Sequence, residues 1–465
     1  MLSNVGRGEL SIGPARTREE NGRAIQEVDI TFVLPGENAQ TKTLFYSVQA
    51  EYGYGLCSDL SDAYVMASLV YCMRRGLDIV AESPMSSHLY HNVTEYLIPS
   101  LVHTDGHLEA IKIHAPITKD SKVRAGKHVG TGMSCGVDSM HALWHYLDYE
   151  DSSRRLTHLC ITDVGAFNVV YGSDENIKKV KERSYERART VSEDIDLPLI
   201  EIECNIREVL KQSHRLTHTY TDLFSIMMLR YFWKVYYYAS VGDGKLALEL
   251  ENNSRHDSGY YEMFILPLVS DGKLDIMSEG FISNRFQKIK DIKDAPYAQK
   301  YLYSCVKRSE NCGVCSKCLR NLWNLDALGC LDSFRDAYDI DAYLKKRRVL
   351  MIKLANQAGK NDFVEDAIGV FAGNKDPDYL YALNSIKKIE TAVSDYEKGK
   401  NLKRCFRIFK HYRRYSTLAY VYYGKSLLEG KGTAADEELG RKVMESDRAR
   451  KYLLKHRVSE DDESE

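Results

Sequence analysis

The chain has 465 residues, of which 44% are hydrophobic and 28% charged, and its formal net charge is −2. This length suits roughly two to four soluble domains. The balanced charge excludes a molecule that attracts nucleic acid over its whole surface, but it does not exclude a local basic groove. No run of about 18 apolar residues is present and the N-terminal residues lack a secretory signal, so we expect a cytoplasmic protein without membrane contact.

Residues 1–120 are predicted to form a mixed α/β domain. Their patterns indicate two antiparallel strands, the turn between them, two helices and a third strand, with the second helix ending at Pro99. These elements are predicted, in that order, at Val28–Phe32, Leu44–Val48, 35–38, 62–76, Ser87–Ile98 and 108–114. No motif in this domain points to chemistry.

Residues 121–330 are predicted to form an α/β domain with a parallel sheet and helices on both faces, because strand and helix patterns alternate along it. A charged amphipathic helix is predicted around Ile177–Val191, and a long helix that is apolar nearly all round at 216–239. The predicted strands are 156–164, 197–204, 245–251 and 263–269.

Residues 331–465 are predicted to form a helical, highly charged domain. The segment 417–452 is typical of a helical hairpin joined at 430–432, similar to one unit of a tetratricopeptide-related repeat. Because one such unit cannot bury its own apolar face, we expect it to dock on its neighbours, and a homodimer or a protein partner could use these helices. The tail 459–465 is acidic and is expected to be disordered.

A short loop in the middle domain has the form of an anion site. The segment 127–133 suits a strand, and the spacing of Met140, Leu143 and Leu147 predicts a helix after the loop. A helix N-terminus that follows a turn of small residues presents unpaired N–H groups and the positive end of the helix dipole. The loop residues are Ser134, Cys135, Gly136, Val137, Asp138 and Ser139.

This loop resembles the Ser-Gly-Gly-x-Asp-Ser loop of the PP-loop ATP pyrophosphatases, which include asparagine synthetase, argininosuccinate synthetase and tRNA-modifying thiolases. The resemblance implies a HUP-like, adenine nucleotide alpha hydrolase-like fold that binds ATP and Mg²⁺ and cleaves ATP between its α and β phosphates. Ser134 and Ser139 would donate hydroxyl hydrogen bonds, and Asp138 would cap the helix or hold Mg²⁺. Asp138 and Ser139 are the predicted catalytic residues. The Walker pattern is absent.

Cys135 departs from the family pattern, because glycine usually occupies that position. If the backbone there has a positive φ, cysteine costs on the order of 1 kcal/mol. The side chain is interpreted as a small residue that fits, and the alternative role of a nucleophile stays open.

Four of the 11 cysteines lie within fourteen residues and predict a metal site. Four thiolates on a short loop suit structural zinc, whereas an iron–sulfur cluster and four free thiols are the alternatives. The candidate ligands are Cys305, Cys312, Cys315 and Cys318.

A PP-loop followed by a four-cysteine segment is similar to 7-cyano-7-deazaguanine synthase, over residues 125–330 only. That resemblance implies structural zinc on the four cysteines. Two departures limit it: Arg320 follows the last cysteine by two residues instead of three, and 170–174 lacks the family's substrate-side run. The resemblance therefore extends to the ATP loop and the zinc site, and not to the deazaguanine substrate.

Further residues are predicted at the carboxyl ends of neighbouring strands, where ligands bind in open α/β sheets. Adenine could be held by the loop after the second strand, and two carboxylates and the polar loop after them could bind substrate or Mg²⁺. The PP-loop resemblance implies that basic side chains at a later helix start face the leaving phosphates, and the alternative is an exposed helix face. The candidates for adenine are Asp163, Val164, Gly165, Ala166 and Phe167. The candidates for substrate or Mg²⁺ are Glu249, Glu251 and 252–256, and those for the leaving phosphates are Arg285 and Lys288.

Two histidine pairs have helical spacing. His141 and His145 lie on the helix after the loop without the glutamate of a zinc-protease motif, so we interpret them as structural. His214 and His218 could border the pocket. The aromatic run 231–238 is interpreted as core rather than as a platform for bases, because it lacks interleaved basic residues.

Together these patterns predict an ATP-dependent ligase or synthase that adenylates a carboxylate or carbonyl oxygen of a small-molecule substrate. Attack by ammonia, an amine or a sulfur donor would follow, giving amide or nitrile products in the C–N bond-forming case. Nucleic acid as a partner has no specific support. The alternatives are a tRNA-modifying sulfur transferase and a non-catalytic nucleotide-binding adaptor.

Overall fold

The computed structural model describes residues 7–165, 167, 174–241, 257–429, 434–450 and 452–453. Its strands are β1 (Glu9–Ile12), β2 (Arg16–Glu20), β3 (Arg23–Val33), β4 (Gln40–Gln49), β5 (Asp78–Ala81), β6 (Met85–Ser86), β7 (Ile113–His114), β8 (Ile117–Thr118), β9 (His128–Gly132), β10 (His158–Asp163), β11 (Leu199–Cys204), β12 (Trp233–Ala239) and β13 (Asp275–Glu279). Its α-helices are α1 (Asp62–Met73), α2 (Ser87–Asn92), α3 (Ile98–Thr104), α4 (Val137–Tyr146), α5 (Asp174–Asp194), α6 (Ile206–Leu210), α7 (His214–Met228), α8 (Glu262–Val269), α9 (Arg285–Ile292), α10 (Pro296–Tyr301), α11 (Ser316–Ala327), α12 (Ile340–Leu344), α13 (Arg347–Ala355), α14 (Asp362–Gly373), α15 (Pro377–Glu397), α16 (Leu402–Tyr412), α17 (Thr417–Glu429) and α18 (Ala434–Glu445).

Eleven of the described strands build one large mixed sheet in the order β13-β12-β9-β10-β11-β4-β3-β1-β5-β7, with β2 paired to β3, and β6 and β8 form a separate two-stranded sheet. The five strands from β13 to β11 are parallel. Within them β9 is central, the next two strands of the chain lie on one side, and β12 and β13 lie on the other. The order in which the chain adds strands therefore reverses at the boundary between β9 and β12. Such a reversal opens a crevice at the carboxyl ends of the strands, where open α/β sheets bind their ligands.

The predicted antiparallel pair in the N-terminal segment is confirmed. Strands β3 and β4 pair from Arg23↔Gln49 to Phe32↔Gln40, and buried residues alternate along β3. The turn begins with a hydrogen bond from the Glu37 N–H to the Leu34 carbonyl (3.1 Å). Strand β4 also pairs with β11, so the sheet continues through the boundary expected at residue 120. Residues 1–321 and 332–338 form one compact unit, and 322–331 and 339–465 form a second.

The prediction of one helix over 216–239 is wrong in its second half. Helix α7 ends at Met228, and β12 follows between β13 and β9 in the parallel strands, with most of its residues buried. A strand buried on both faces shows no alternation, so its apolar run resembles that of a buried helix. The aromatic and β-branched content of Trp233–Tyr238 favours the strand.

The prediction of a strand at 263–269 is also wrong, because Glu262–Val269 is helix α8. A short apolar run does not distinguish a buried strand from a buried helix. The strand that completes the parallel set is instead β13, which the sequence pattern did not reveal because only two of its five residues are buried. The strand predicted at 245–251 lies outside the described residues.

Two N-terminal predictions differ in length. The second helix does not end at Pro99 but continues to Thr104, through a π-helical turn at Val93–Leu97 that directly precedes α3. Proline lies in the first turn of α3, where its missing N–H costs little. The strand predicted over 108–114 contains only Ile113 and His114.

The second unit is helical, as predicted. Helices α17 and α18 form the expected hairpin, although residues 430–433 lie outside the described part of the chain. The hairpin shares a core with α15 and α16, in which Phe409 and Tyr422 are buried. This packing confirms the expectation that the hairpin docks on neighbouring helices. None of the helices in the described residues has both the length and the apolar character that crossing a bilayer requires.

Candidate functional site

The predicted phosphate loop lies at the carboxyl end of β9, beside the crevice between β9 and β12. The Met133 N–H donates to the Cys160 carbonyl of the neighbouring strand (2.7 Å), which fixes the start of the loop. Helix α4 begins at Val137, directly after the loop. Ser134 is exposed and Asp138 is half-buried, so the loop opens to solvent at the edge where ligands bind.

Hydrogen bonds within the loop hold its two serines together. The Ser134 and Ser139 hydroxyls lie 3.2 Å apart, and the Gly136 N–H is 3.3 Å from the Ser134 Oγ. Gly136 is the N-cap of α4 and supplies no side-chain cap. Asp138 therefore does not cap the helix, contrary to one predicted role. The N–H groups of the first turn and the helix dipole remain directed toward an anion.

Cys135 occupies the strained position that the family pattern assigns to glycine. Its φ is +59°, which is left-handed backbone and costs a non-glycine residue roughly 1–2 kcal/mol. The side chain is only 1% exposed, and burial raises the pKa of its thiol to about 12. The nucleophile is the thiolate, so this environment argues against a nucleophilic role and favours the interpretation as a small buried residue.

Asp138 is held by two cations, both of which are sequence-predicted site residues. The Arg285 Nη2 and the Lys288 Nζ each lie 3.0 Å from a different carboxylate oxygen. Burial alone would raise the pKa of Asp138, but these cations outweigh it and lower the pKa to about 2. Lys288 is 1% exposed and also donates to the Ser240 carbonyl after β12 (2.6 Å). One carboxylate thus anchors a pair of cations at the crevice.

Two further cations extend this cluster from α11. Burial and repulsion from Arg285 lower the pKa of Arg320 to about 10, while Asp138 opposes that change. Desolvation by the surrounding protein and repulsion from Arg285 and Arg320 lower the pKa of Lys317, although the residue is exposed. Asp138 therefore interacts with Arg285, Lys288, Lys317 and Arg320, and an additional anion would relieve the repulsion among these cations.

The loop after β10 adjoins a cleft. Asp163 pairs with Lys181 (2.8 Å), Val164 is buried, and Gly165 has a φ of +114°. Arg207, Gln212, His214 and Thr217 line the cleft beside Val164 and Gly165. In the part of the chain that is described, the buried Gln212 Nε2 and His214 Nδ1 have no hydrogen-bond partner.

The remaining candidates of the strand ends divide into two groups. Phe167 is described and its ring lies 6.2 Å from that of Tyr185. Ala166, Glu249, Glu251 and 252–256 lie outside the described residues.

Both histidine pairs have acidic partners. His141 Nδ1 and His145 Nδ1 lie 3.0 and 3.2 Å from the Glu279 Oε1, and His141 Nε2 lies 3.2 Å from Asp291. These contacts join α4 to β13 and α9, in agreement with a structural role. His218 Nε2 lies 2.9 Å from Asp257, and His214 borders the cleft.

The four clustered cysteines converge as predicted, and they could hold a metal ion. Their sulfur atoms all lie within 4.8 Å of one another, and the Sγ atoms of Cys312 and Cys318 are 4.0 Å apart. Four sulfurs placed about 2.3 Å from a tetrahedral ion are about 3.8 Å from each other, so the spacing fits. The N–H groups of Cys315 and Cys318 lie 3.3 and 3.5 Å from neighbouring sulfurs, as suits thiolates.

The cysteine segment packs directly on the phosphate loop. The Tyr303 N–H donates to the Cys135 carbonyl (2.8 Å). The Arg187 guanidinium lies 3.9 Å from the centre of the Tyr303 ring and donates to the Ser309 carbonyl (2.7 Å). The segment that carries the four cysteines is therefore joined to the phosphate loop by a backbone hydrogen bond.

Sequence reasoning missed Lys317, Tyr303 and Ser240 as site residues. Lys317 lies between two candidate metal ligands, and that position was the available signal. Tyr303 and Ser240 act through backbone groups, for which the sequence has no signal. No family model, curated protein or solved structure matches the chain.

Proposed function

We propose that this protein transfers the AMP moiety of ATP to a substrate oxygen and releases pyrophosphate. The observation that carries the proposal is the set of four cations gathered with one carboxylate around an uncapped helix N-terminus, at the reversal point of a parallel sheet. A pyrophosphate group has the charge and the acceptor oxygens that this arrangement lacks.

The proposed step forms a bond between a substrate carboxylate or carbonyl oxygen and the α phosphorus of ATP. The bond from that phosphorus to the bridging oxygen breaks, and pyrophosphate leaves with the electron pair. The α4 amides, the Ser134 and Ser139 hydroxyls, Arg285 and Lys288 would stabilise the charge that develops on the leaving group. An amine, ammonia or a sulfur donor would then displace AMP.

The cleft beside Val164 and Gly165 is the proposed adenine site. Val164 and Gly165 follow β10, which neighbours the strand β9 that leads into the phosphate loop. Gln212 Nε2 is a donor, and His214 Nδ1 can donate or accept according to its tautomer. A purine edge carries acceptors and donors that could pair with them.

Mg²⁺ is proposed only as the ion that ATP carries. Each Asp138 carboxylate oxygen already accepts from a cation at 3.0 Å, and these two cations would repel Mg²⁺ at the same carboxylate. No step is therefore assigned to an ion held by Asp138.

Zinc is the metal proposed for the four-cysteine site. Cysteine fills all four tetrahedral positions, which leaves none for a reactive water, so the ion would be structural. Elemental analysis distinguishes zinc from iron, and a colourless protein with one zinc per chain is expected.

The proposal is tested with purified protein, Mg²⁺ATP and a pool of carboxylic acids and amines. We expect release of AMP and pyrophosphate, and not of ADP and phosphate. Asp138→Ala should abolish this release while circular dichroism and metal content are retained, and Ser139→Ala should lower it without disturbing the ion pairs. Equal turnover in all three proteins contradicts the proposed site. A persistent absence of AMP formation, with nucleotide still bound, favours a non-catalytic adaptor.

The sulfur-transferase alternative receives less support from the structure. Its carrier would be Cys135, which is buried and has a raised thiol pKa, or a thiolate of the metal cluster. Cys135 therefore does not present an accessible, activated thiolate at the phosphate loop, and the four cluster thiolates are assigned to the metal.

A further inference from the structure

The second unit carries a strongly basic surface that the proposed function does not use. Between Lys387 and Lys425 the chain has eleven lysine and arginine residues against three acidic ones, a formal charge of +8 in a chain whose total is −2. This segment covers the second half of α15, all of α16 and the start of α17. The charge is therefore concentrated on one group of packed helices.

The cations form a stripe along α16. Lys403, Arg407, Lys410 and Arg414 recur at intervals of three and four residues and are exposed, so they lie on one face of the helix and its last turn. None of the four forms an ion pair within the described part of the chain. Each like-charge neighbour at this spacing destabilises a helix by about 0.2–0.5 kcal/mol, and a purely solvated face would gain from interspersed acids.

A groove lies between α15 and α16 beside this stripe. Lys387, Lys388 and Arg404 line it together with Asn384, Thr391 and a single acid, Asp395. Its apolar lining residues include Ala392 and Ile408. Cationic and neutral polar groups beside an apolar floor suit a ligand that has both anionic groups and flat apolar surfaces.

Aromatic rings accompany the cations. Lys410 Nζ lies 6.0 Å from the centre of the half-buried Phe406 ring, and Arg413 lies 5.1 Å from that of Tyr423. Tyr423 is only 7% exposed and neither ring lines the groove. The surface therefore suits phosphate contacts along a flexible strand, with Phe406 as a half-buried ring beside the stripe.

An anionic membrane fits this surface less well. The apolar face of α16 is already used, because Cys405, Phe409 and Tyr412 are at most 6% exposed. A helix that lies in a bilayer interface needs its apolar face free to enter the lipid. Leu402 at the helix start is 51% exposed, but one leucine is a small anchor beside this charge.

From these observations we propose that the basic groove and stripe of α15 and α16 bind the phosphodiester backbone of a single-stranded nucleic acid. This inference is independent of the proposed ATP chemistry, which lies in the other unit. Binding is expected to be largely insensitive to sequence and strongly dependent on salt, because the contacts are mainly to phosphates.

The test measures fluorescence anisotropy of labelled 20-nucleotide RNA and DNA of one mixed sequence, titrated with the full chain from about 50 to 200 mM KCl. The variant Arg407→Gln/Lys410→Gln/Arg414→Gln removes three cations of the stripe. The control Lys112→Gln/Lys119→Gln/Lys122→Gln removes three exposed lysines of the first unit and has the same net charge. With a salt slope of about 0.7 per phosphate contact on single strands, the stripe variant should bind about 100-fold more weakly at 0.1 M salt and lose about 2 units of slope.

The control should bind like the wild type, and the RNA and DNA arms show which strand is preferred. The inference is overturned if the wild type does not bind either oligonucleotide, or if the two triple variants lose affinity equally. It is also overturned if a 20-residue polyglutamate, or vesicles containing phosphatidylserine, bind the stripe more tightly than the oligonucleotides.

Discussion

The contact between the cysteine segment and the phosphate loop makes a prediction about one hydrogen bond. Tyr303→Pro removes the N–H that donates to the Cys135 carbonyl (2.8 Å), whereas Tyr303→Ala removes the same ring but keeps the donor. Leu302 has φ −54° and ψ 120°, a conformation that a following proline accepts. The two variants therefore differ mainly in the presence of this N–H.

The magnitude follows from the burial of Cys135, which is 1% exposed. A buried carbonyl that loses its donor costs about 1–3 kcal/mol. The loop can avoid this cost by moving away from the conformation that directs its amides toward the anion. If pyrophosphate binding has to restore the binding conformation of the loop, the binding free energy is weakened by this amount. Pyrophosphate affinity then falls roughly 5- to 150-fold, at about 1.4 kcal/mol per factor of ten.

Isothermal titration calorimetry with pyrophosphate measures the effect, and metal analysis of both variants confirms that the four-cysteine site is intact. We expect Tyr303→Pro to bind at least about five times more weakly than Tyr303→Ala. Equal affinity in two metal-loaded variants would refute the reasoning that this backbone contact supports the loop.

Four further predictions concern the site. Cys135→Gly should be about 1 kcal/mol more stable than Cys135→Ala, the reverse of the usual order, because only glycine relaxes at φ +59°; in a unit of this size the two melting temperatures should differ by about 2 °C in differential scanning fluorimetry. Cys312→Ser should lose the metal and weaken pyrophosphate binding, whereas Cys330→Ser, outside the cluster, should retain both, and intact metal in Cys312→Ser contradicts the ligand assignment. Lys288→Met should lower stability by about 3–5 kcal/mol in denaturant titrations because it breaks a buried ion pair, whereas the exposed Lys290→Met should change little, and similar values for the two contradict the burial argument. The folded pKa of Asp138, about 2, lies below its unfolded value of about 3.9, so Asp138 should account for about 2 kcal/mol of the stability that the wild type loses as pH falls from about 4 to 2, and Lys288→Met should lose less than the wild type.

Local patterns predicted much of the structure. The antiparallel pair β3–β4 was readable because its buried residues alternate, and α5 because its apolar residues recur at helical spacing. The loop at Ser134–Ser139 and the four cysteines were found because their chemistry depends on short-range spacing. The sequence also identified Cys135 as the residue that would be strained by a positive φ.

The missed features depend on partners far along the chain. Trp233–Ala239 becomes a strand because it pairs with β9 and β13, and its own apolar run does not contain that information. Arg285 and Lys288 were predicted as site residues, but their contact with Asp138 spans about 150 residues and was not predicted. The Tyr303 contact with Cys135 involves backbone atoms, which every residue except proline offers equally.

The measurement that bears most directly on the central claim is calorimetric titration of the purified protein with pyrophosphate, in parallel with orthophosphate. The account predicts saturable binding of pyrophosphate that is tighter than that of orthophosphate, and at least about tenfold weaker in Ser139→Ala, because a hydrogen bond to a charged ligand is lost. Absence of pyrophosphate binding in a folded, metal-loaded protein, or equal affinity in the wild type and the variant, would contradict it.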